Sequence, residues 1–212
     1  MASYHVYSGS EINHRMISEA IQLDRLSYSD IYQLQVETCY EYFEKNNDIY
    51  IMAVDDDTGN VIGYINFSPI MESVFRELVF GNTIDTVITS NNVASYSNGN
   101  IYWGYFSSIV VHPDYRQQGI ATHMLLRWSE FIFFLATERD IFFEKIVADA
   151  VSSVGEHLLS EIGFSFTKLS NHKSRIMTLD LFGKNLSNWE SNEKLMAVYR
   201  KYKEKEGTIH VI

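Results

Sequence analysis

A mixed α/β sandwich, with one mostly antiparallel central sheet and helices on both faces, is the fold class this 212-residue sequence predicts. Three observations carry that reading. Ile49 to Val54 (IYIMAV) and Val61 to Phe67 (VIGYINF) are β-rich runs separated by the turn-forming DDDTGN, which is the pattern of an early antiparallel hairpin. Ile101 to Val111 (IYWGYFSSIVV) reads as a long strand, followed by a helical pattern and a second strand at Phe142 to Ala148; such a β-α-β unit implies a parallel pair. Apolar residues elsewhere recur at three- and four-residue spacing, so helices flank the sheet.

Taken in order, Tyr4 to Tyr7 is a short strand, and from Ser10 a helical face forms through Ile12, Met16, Ala20 and Leu23. Asp30-Ile-Tyr-Gln33 resembles a capping box, so a second helix is expected from Asp30, carrying Leu34, Cys39 and Phe43 inward and ending near Lys45-Asn46-Asn47. After the hairpin, Pro69 to Asn100 is poorly patterned; Met71 to Phe80 has helical character and Ser90 to Asn100 is a polar loop. Irregular stretches of that length often serve as lids or binding loops. Beyond the β-α-β unit, Ser153-Val-Gly-Glu156 reads as another capping box opening a short helix to about Glu161. Gly163-Phe164 begins a strand, Ile176 to Leu181 is another, and an amphipathic helix runs from about Ser187 to Lys205. No repeat or Pro-rich linker interrupts the chain, whose length fits one domain.

Composition narrows the classes. The lone cysteine, Cys39, forms no intramolecular disulfide and argues against a metal cluster. The formal charge of −10 argues against nucleic acid as a partner, since phosphate backbones demand clustered Lys and Arg. It suits a small cationic substrate better. MASYHVYSGS lacks the basic and apolar regions of a secretory signal, and no run approaches the ~18 apolar residues of a membrane span, so a cytoplasmic protein with no membrane partner is expected.

The chemistry concentrates in VVHPDYRQQGIATHMLLRW, Val110 to Trp128. The first turn of a helix carries backbone N–H groups without intrahelical partners and the positive end of the helix dipole. A glycine there admits a bulky anion to the main chain, Arg116 adds a fixed positive charge, and the small Ala121 keeps the turn open. Arg116 to Thr122 therefore reads as a diphosphate cradle. It is neither of the common nucleotide loops, because G-x-x-x-x-G-K-S/T and G-x-G-x-x-G are both missing from the sequence. H-E-x-x-H and G-x-S-x-G are missing too, which removes the simple metalloprotease and hydrolase readings.

At this point the sequence resembles the GNAT family of N-acetyltransferases. The family signature is Gln or Arg, two residues of any type, Gly, one residue, then Gly or Ala, matched by Arg116-Gln117-Gln118-Gly119-Ile120-Ala121. The lead-in Val111-His112-Pro113-Asp114-Tyr115 and the Gly163-Phe164 pair also look like the family. The resemblance spans roughly Tyr4 to Leu181 and implies a GNAT-like domain over 1–182 with a helical extension over 183–212. It further implies acetyl-CoA as co-substrate, held between strands Ile101–Val111 and Phe142–Ala148, with no metal. Main-chain groups of Ile109, Val110 and Val111 would pair with the pantetheine arm, and an N–H near Ile109 would polarise the thioester carbonyl. The amides of Gln118, Gly119, Ile120, Ala121 and Thr122, with the Arg116-Gln117-Gln118 turn, would hold the pyrophosphate.

The sequence departs from the family where proton transfer is expected. The tyrosine common four residues before the Gly of Gly-Phe is Leu159, and the asparagine seven residues earlier is Ser152. Ser160, His157 and Ser152 are the nearby substitutes, with Ser160 the candidate acid and Ser152 a pantetheine contact; His157 is more simply a surface residue. The carboxylate base of some members falls at Tyr105, in a strand without Asp or Glu, so Tyr105 is the candidate there, in competition with core packing. Glu72, Glu77 and Asp85 could approach an amine from the irregular segment, and His112 serves the turn before Pro113. The terminal helix bears Lys194, Arg200, Lys201, Lys203 and Lys205 among acids, which makes a solvated face. Its apolar Leu195, Val198 and Tyr202 cover the domain or a partner subunit, the latter giving a homodimer. The reading is an N-acetyltransferase acting on a primary amine, of a small, cationic molecule or of a protein. The alternative is an acyl-CoA-binding module that has lost catalysis.

Overall fold

The computed structural model describes residues 2–81, 83, 86, 88–183 and 190–209. Strand β1 (Tyr4–Ser8) leads to helices α1 (His14–Ser27) and α2 (Val36–Lys45), then to the hairpin β2 (Tyr50–Asp55) and β3 (Val61–Ile70). Helix α3 (Glu72–Phe80) precedes β4 (Ile101–Val111), α4 (Ile120–Glu138) and β5 (Phe142–Ala150). Helix α5 (Ser153–Glu161), strands β6 (Ser165–Leu169) and β7 (Arg175–Asp180), and helix α6 (Glu190–Ile209) follow among the described residues. The seven strands form one sheet in the order β1-β2-β3-β4-β5-β7-β6. Every neighbouring pair is antiparallel except β4 and β5, the two strands joined through α4.

Two apolar layers cover the sheet. On one face α4 sends Ile120, Met124, Leu125, Trp128, Ile132 and Leu135 onto Phe67, Phe106, Phe143 and Ile146, with Trp128 edge-on to both Phe67 and Phe106. Such a layer stabilises by burial of aromatic and branched side chains, each worth roughly 1.5–3 kcal/mol. On the other face α1, α2 and α3 pack Ile17, Cys39 and Phe75 over Met52, Tyr64, Tyr105 and Val147. Close helix approach sets one residue choice: a Cβ at Gly63 of β3 would lie 2.9 Å from the Val110 carbonyl and 3.1 Å from Met124.

Several boundaries differ from expectation, each for a local reason. The helix expected from Asp30 begins at Val36, and Asp30–Tyr32 is only a 3-10 turn. Gln33, the supposed box partner, donates its side-chain amide to the Tyr28 carbonyl at 2.9 Å. The helix expected from Ser10 likewise starts at His14, after a 3-10 turn at Gly9–Glu11, because the Asn13 side chain accepts from the Met16 N–H. Helix α5 spans Ser153–Glu161 as expected, but Ser152 rather than Ser153 caps it by accepting from the Gly155 N–H, and Glu156 pairs with Arg175 at 2.7 Å. Gly163-Phe164 precedes its strand, which starts at Ser165. Residues 184–189, including the expected helix start at Ser187, lie outside the described residues. In α6 the apolar positions serve the chain's own core: Leu195 and Tyr199 are buried, Val198 and Tyr202 pack beside them, and the Phe143 N–H donates to the Tyr199 hydroxyl at 3.0 Å. Lys194, Arg200, Lys201 and Lys203 are exposed. No described helix is long and apolar enough to cross a membrane.

Candidate active site

The parallel pair does not stay paired. Its register runs from Ile101↔Phe142 to Phe106↔Ala148 and stops there, so Ser107–Val111 of β4 and Asp149–Ala150 of β5 diverge. At the point of divergence Ser107 is an extra residue in β4: Ser108 faces Asn66 and Phe106 faces Phe67, leaving Ser107 without a partner on β3. A bulge there bends the strand and re-aims its groups. The opening is a cleft of about 610 Å³ bounded by Ser107–Val111, Ala148–Ser152, the α4 N-terminus and Leu159.

Main-chain direction follows from the ladder. The His112 N–H bonds the Ile62 carbonyl at 2.8 Å, and an antiparallel ladder alternates, so Val110 and Ser108 turn their peptide groups to β3. Ile109 and Val111 turn theirs into the cleft. Two side chains already exploit this: the Tyr28 hydroxyl reaches the Ile109 carbonyl at 3.4 Å, and Arg116 Nε donates to the Val111 carbonyl at 3.1 Å. Of the three residues expected to pair with a pantetheine arm, two turn toward the cleft peptide groups that no strand pairs. Val110 is committed to the sheet, its side chain buried in the α1 layer.

At the far end of the cleft the chain enters α4 through Gly119, whose φ of 81° is left-handed and whose missing Cβ would meet nothing within 4 Å. Gln117, with a φ of 61°, shares the tight turn. The His123 N–H is the first to reach back, to the Gly119 carbonyl, so the N–H groups of Ile120, Ala121 and Thr122 have no earlier helical carbonyl to bond. Arg116, Gln117 and Gly119–Thr122 all line the cleft. The Gln118 side chain does not; its Oε1 accepts from the Ala2 N–H at 2.9 Å. Open main chain beside a helix N-terminus, with Arg116 alongside, fits a diphosphate.

The proton-transfer candidates scatter. Ser160 is exposed on α5, donates to the Glu156 carbonyl at 2.8 Å and does not line the cleft, so the expected acid is displaced by one helix position. Leu159 takes the inward place and is 4% exposed. Ser152 lines the cleft, although its hydroxyl accepts from Gly155. His157 pairs with Glu161 at the surface, His112 accepts from the Asp114 N–H, Glu72 pairs with Arg76 and Glu77 is exposed. Asp85 lies outside the described residues. Tyr105 is buried and faces a second, smaller cavity under α1 and α2.

That inner cavity, about 30 Å³, adjoins the cleft at Ser107 and Ser108, which line both. Sequence reading missed its main acid. Asp24 of α1 is 8% exposed, and the Tyr64 hydroxyl donates to its carboxylate. Burial raises its pKa to about 6, against the lowering effect of the Tyr64 bond. A second acid was missed on β5: Asp149 lines the cleft, one of its carboxylate oxygens is buried with no partner, and burial pushes its pKa up against a Ser174 hydrogen bond and the nearby His172. The available signal for Asp24 was an acid on the apolar side of a helical face, flanked by Ala20 and Leu23. Among the described residues no group of three or more His, Cys, Asp or Glu is placed to hold a metal ion.

A mixed sheet whose single parallel pair parts around a long cleft, with an open helix N-terminus at one end, is the architecture expected of an acyl-CoA-dependent N-acyltransferase. The chain belongs to the acetyltransferase (GNAT) family, whose model matches residues 17–134. Members of this family are acyl-CoA N-acetyltransferases. Solved structures share the fold at low identity. The NatC complex bound to Gag peptide and CoA is 14% identical, with 84% of this chain and 98% of that chain covered and a TM-score of 0.55. Arylalkylamine N-acetyltransferase 2 from Aedes aegypti is 14% identical over 84% and 99% of the two chains, with a TM-score of 0.51. YhbS from Escherichia coli, in complex with CoA, is 16% identical over 85% and 82%, with a TM-score of 0.52. No curated protein matches the sequence significantly.

Proposed function

We propose that this protein transfers the acetyl group of acetyl-CoA to a primary amine. The observation that carries the reading is the cleft itself: peptide groups of Ile109 and Val111 that no strand pairs lie between the glycine-opened α4 N-terminus and the polar inner cavity, their carbonyls held only by the Tyr28 and Arg116 side chains. Ile109 and Val111 would align the pantetheine arm as an added strand, with Val110 behind them in the sheet. Arg116, Gln117 and the main chain from Gln118 to Thr122 would hold the pyrophosphate, and Ser152 would contact the arm from β5's side. The Ile109 N–H, turned into the cleft, suits the thioester carbonyl as an oxyanion donor. No tyrosine stands at Leu159, and none is required for proton balance, because the attacking nitrogen can pass a proton to the departing thiolate. The acidic character of the chain favours a small cationic amine as acceptor, in a cytoplasmic setting, over a protein amino group.

Leu159 favours a second reading, an acyl-CoA-binding module without turnover. Both readings share cofactor binding. Titration calorimetry with acetyl-CoA on the wild type, Gly119→Glu and Gly119→Ala tests it, followed by thiol release from a panel of amines. Saturable binding lost only in Gly119→Glu, with turnover of at least one amine, supports the transferase. Binding without turnover supports the module, and no binding by folded wild type overturns both.

A further inference from the structure

Two polar side chains, Ser108 and Tyr64, connect the cleft to a buried carboxylate. Ser107 at the bulge gives its hydroxyl to Asn66 Oδ1 at 2.6 Å, so it is already committed. Ser108, next along β4, sits against the Tyr64 hydroxyl, and Tyr64 donates to Asp24. Ser108 lines both cavities, whereas Tyr64 and Asp24 line only the inner one. The chain of groups therefore begins where an acceptor nitrogen must approach the thioester and ends on an acid out of solvent.

We propose that Ser108, Tyr64 and Asp24 form a proton relay that removes the proton of the acceptor ammonium. The proposal rests on the transferase reading. An ammonium in the cleft gives a proton to Ser108 Oγ as the Ser108 proton passes to Tyr64 Oη and the Tyr64 proton passes to the Asp24 carboxylate. The neutral nitrogen then attacks the thioester carbon: a C–N bond forms, the C–S bond breaks, and a second proton from nitrogen neutralises the thiolate. Asp24 later returns its proton to water. Tyr64 stays a phenol throughout, because burial and then the Asp24 charge hold its hydroxyl well above the ordinary tyrosine value.

The surroundings suit this role. The titratable groups lining the cavity besides Asp24 are Tyr32, Cys39, Tyr42, Tyr50, Tyr64 and Tyr105, and no Lys, Arg, His or second carboxylate lines it among the described residues. With no cation to hold it ionised, burial raises the carboxyl's pKa to about 6, and a base is most effective when its pKa approaches the working pH. The cavity has room for one or two waters and no larger group. The acceptor's carbon skeleton thus stays in the cleft, and only its nitrogen meets the relay.

The test uses the full chain as wild type, Asp24→Asn, Tyr64→Phe and Asp149→Asn, with tyramine, spermidine and a short peptide with a free amino terminus as probes. Acetyl-CoA affinity is read by calorimetry and kcat/KM by thiol release from pH 6 to 10. The relay predicts unchanged acetyl-CoA affinity and a loss of roughly 100- to 10,000-fold at pH 7 in Asp24→Asn and Tyr64→Phe, shrinking as pH nears the amine's own pKa. If Asp24→Asn does not fold, Tyr64→Phe decides by the same profile. Rates within threefold of wild type at every pH, or an equal loss at every pH, overturn the relay and leave the transferase standing. A pH-dependent loss confined to Asp149→Asn overturns it in favour of that acid. Wild type that binds acetyl-CoA but acetylates none of the probes overturns the transferase reading and the relay with it.

Discussion

Replacing Asp24 by Asn should stabilise the fold, and the gain should depend on pH in a calculable way. Burial raises the carboxyl's pKa from its ordinary 3.8 to about 6 in the folded chain, so the native state binds its proton more tightly than the unfolded state. The sign follows: the stability this group contributes is fully present below pH 3.8 and is lost as pH rises through about 6. At 1.36 kcal/mol per pH unit the full loss is about 3 kcal/mol, and about 1.4 kcal/mol of it falls between pH 5 and pH 8. Asparagine keeps the shape and still accepts the Tyr64 hydroxyl, so the variant escapes the penalty. Urea denaturation of both proteins at pH 5, 6, 7 and 8 gives the difference directly, and other titrating groups cancel in it. The advantage of the variant should widen by about 1.4 kcal/mol from pH 5 to 8. Parallel stability curves would refute the reasoning, since they would mean that Asp24 is not desolvated by folding.

Four further outcomes are expected. Gly119→Glu should abolish acetyl-CoA binding in calorimetry, while Gly119→Ala keeps it; both carry the same left-handed strain of about 1–2 kcal/mol, visible as a matched fall in melting temperature. Gly63→Ala drives a methyl against the Val110 carbonyl and α4, and should cost roughly 1–3 kcal/mol by denaturant titration. Tyr199→Phe leaves the buried Phe143 N–H without its acceptor and should cost about 1–3 kcal/mol, an effect missing if α6 docks elsewhere in solution. Ser160→Ala should leave thiol release within twofold of wild type, because the hydroxyl is spent on the Glu156 carbonyl at the surface.

What the sequence by itself determined are the features written in local periodicity and turn chemistry. The long strand Ile101–Val111, the hairpin around DDDTGN and the glycine-opened start of α4 were legible because each depends on residues adjacent in the chain. Capping boxes were less reliable guides. Gln33 and Glu156 had better partners at Tyr28 and Arg175, and the box at Asp30 gave way to a 3-10 turn. The acids of the site were not legible at all. Asp24 is charged within an otherwise apolar helix face, and Asp149 is one residue past the last β4–β5 pair. What makes Asp24 chemically distinctive is the company brought from distant segments: a tyrosine forty residues on, a serine from β4 beside that tyrosine, and the loss of water when α1 closes over the sheet. Only tertiary packing can remove solvent from a carboxylate and choose the hydroxyl beside it, because desolvation belongs to the assembled core and to no stretch of sequence.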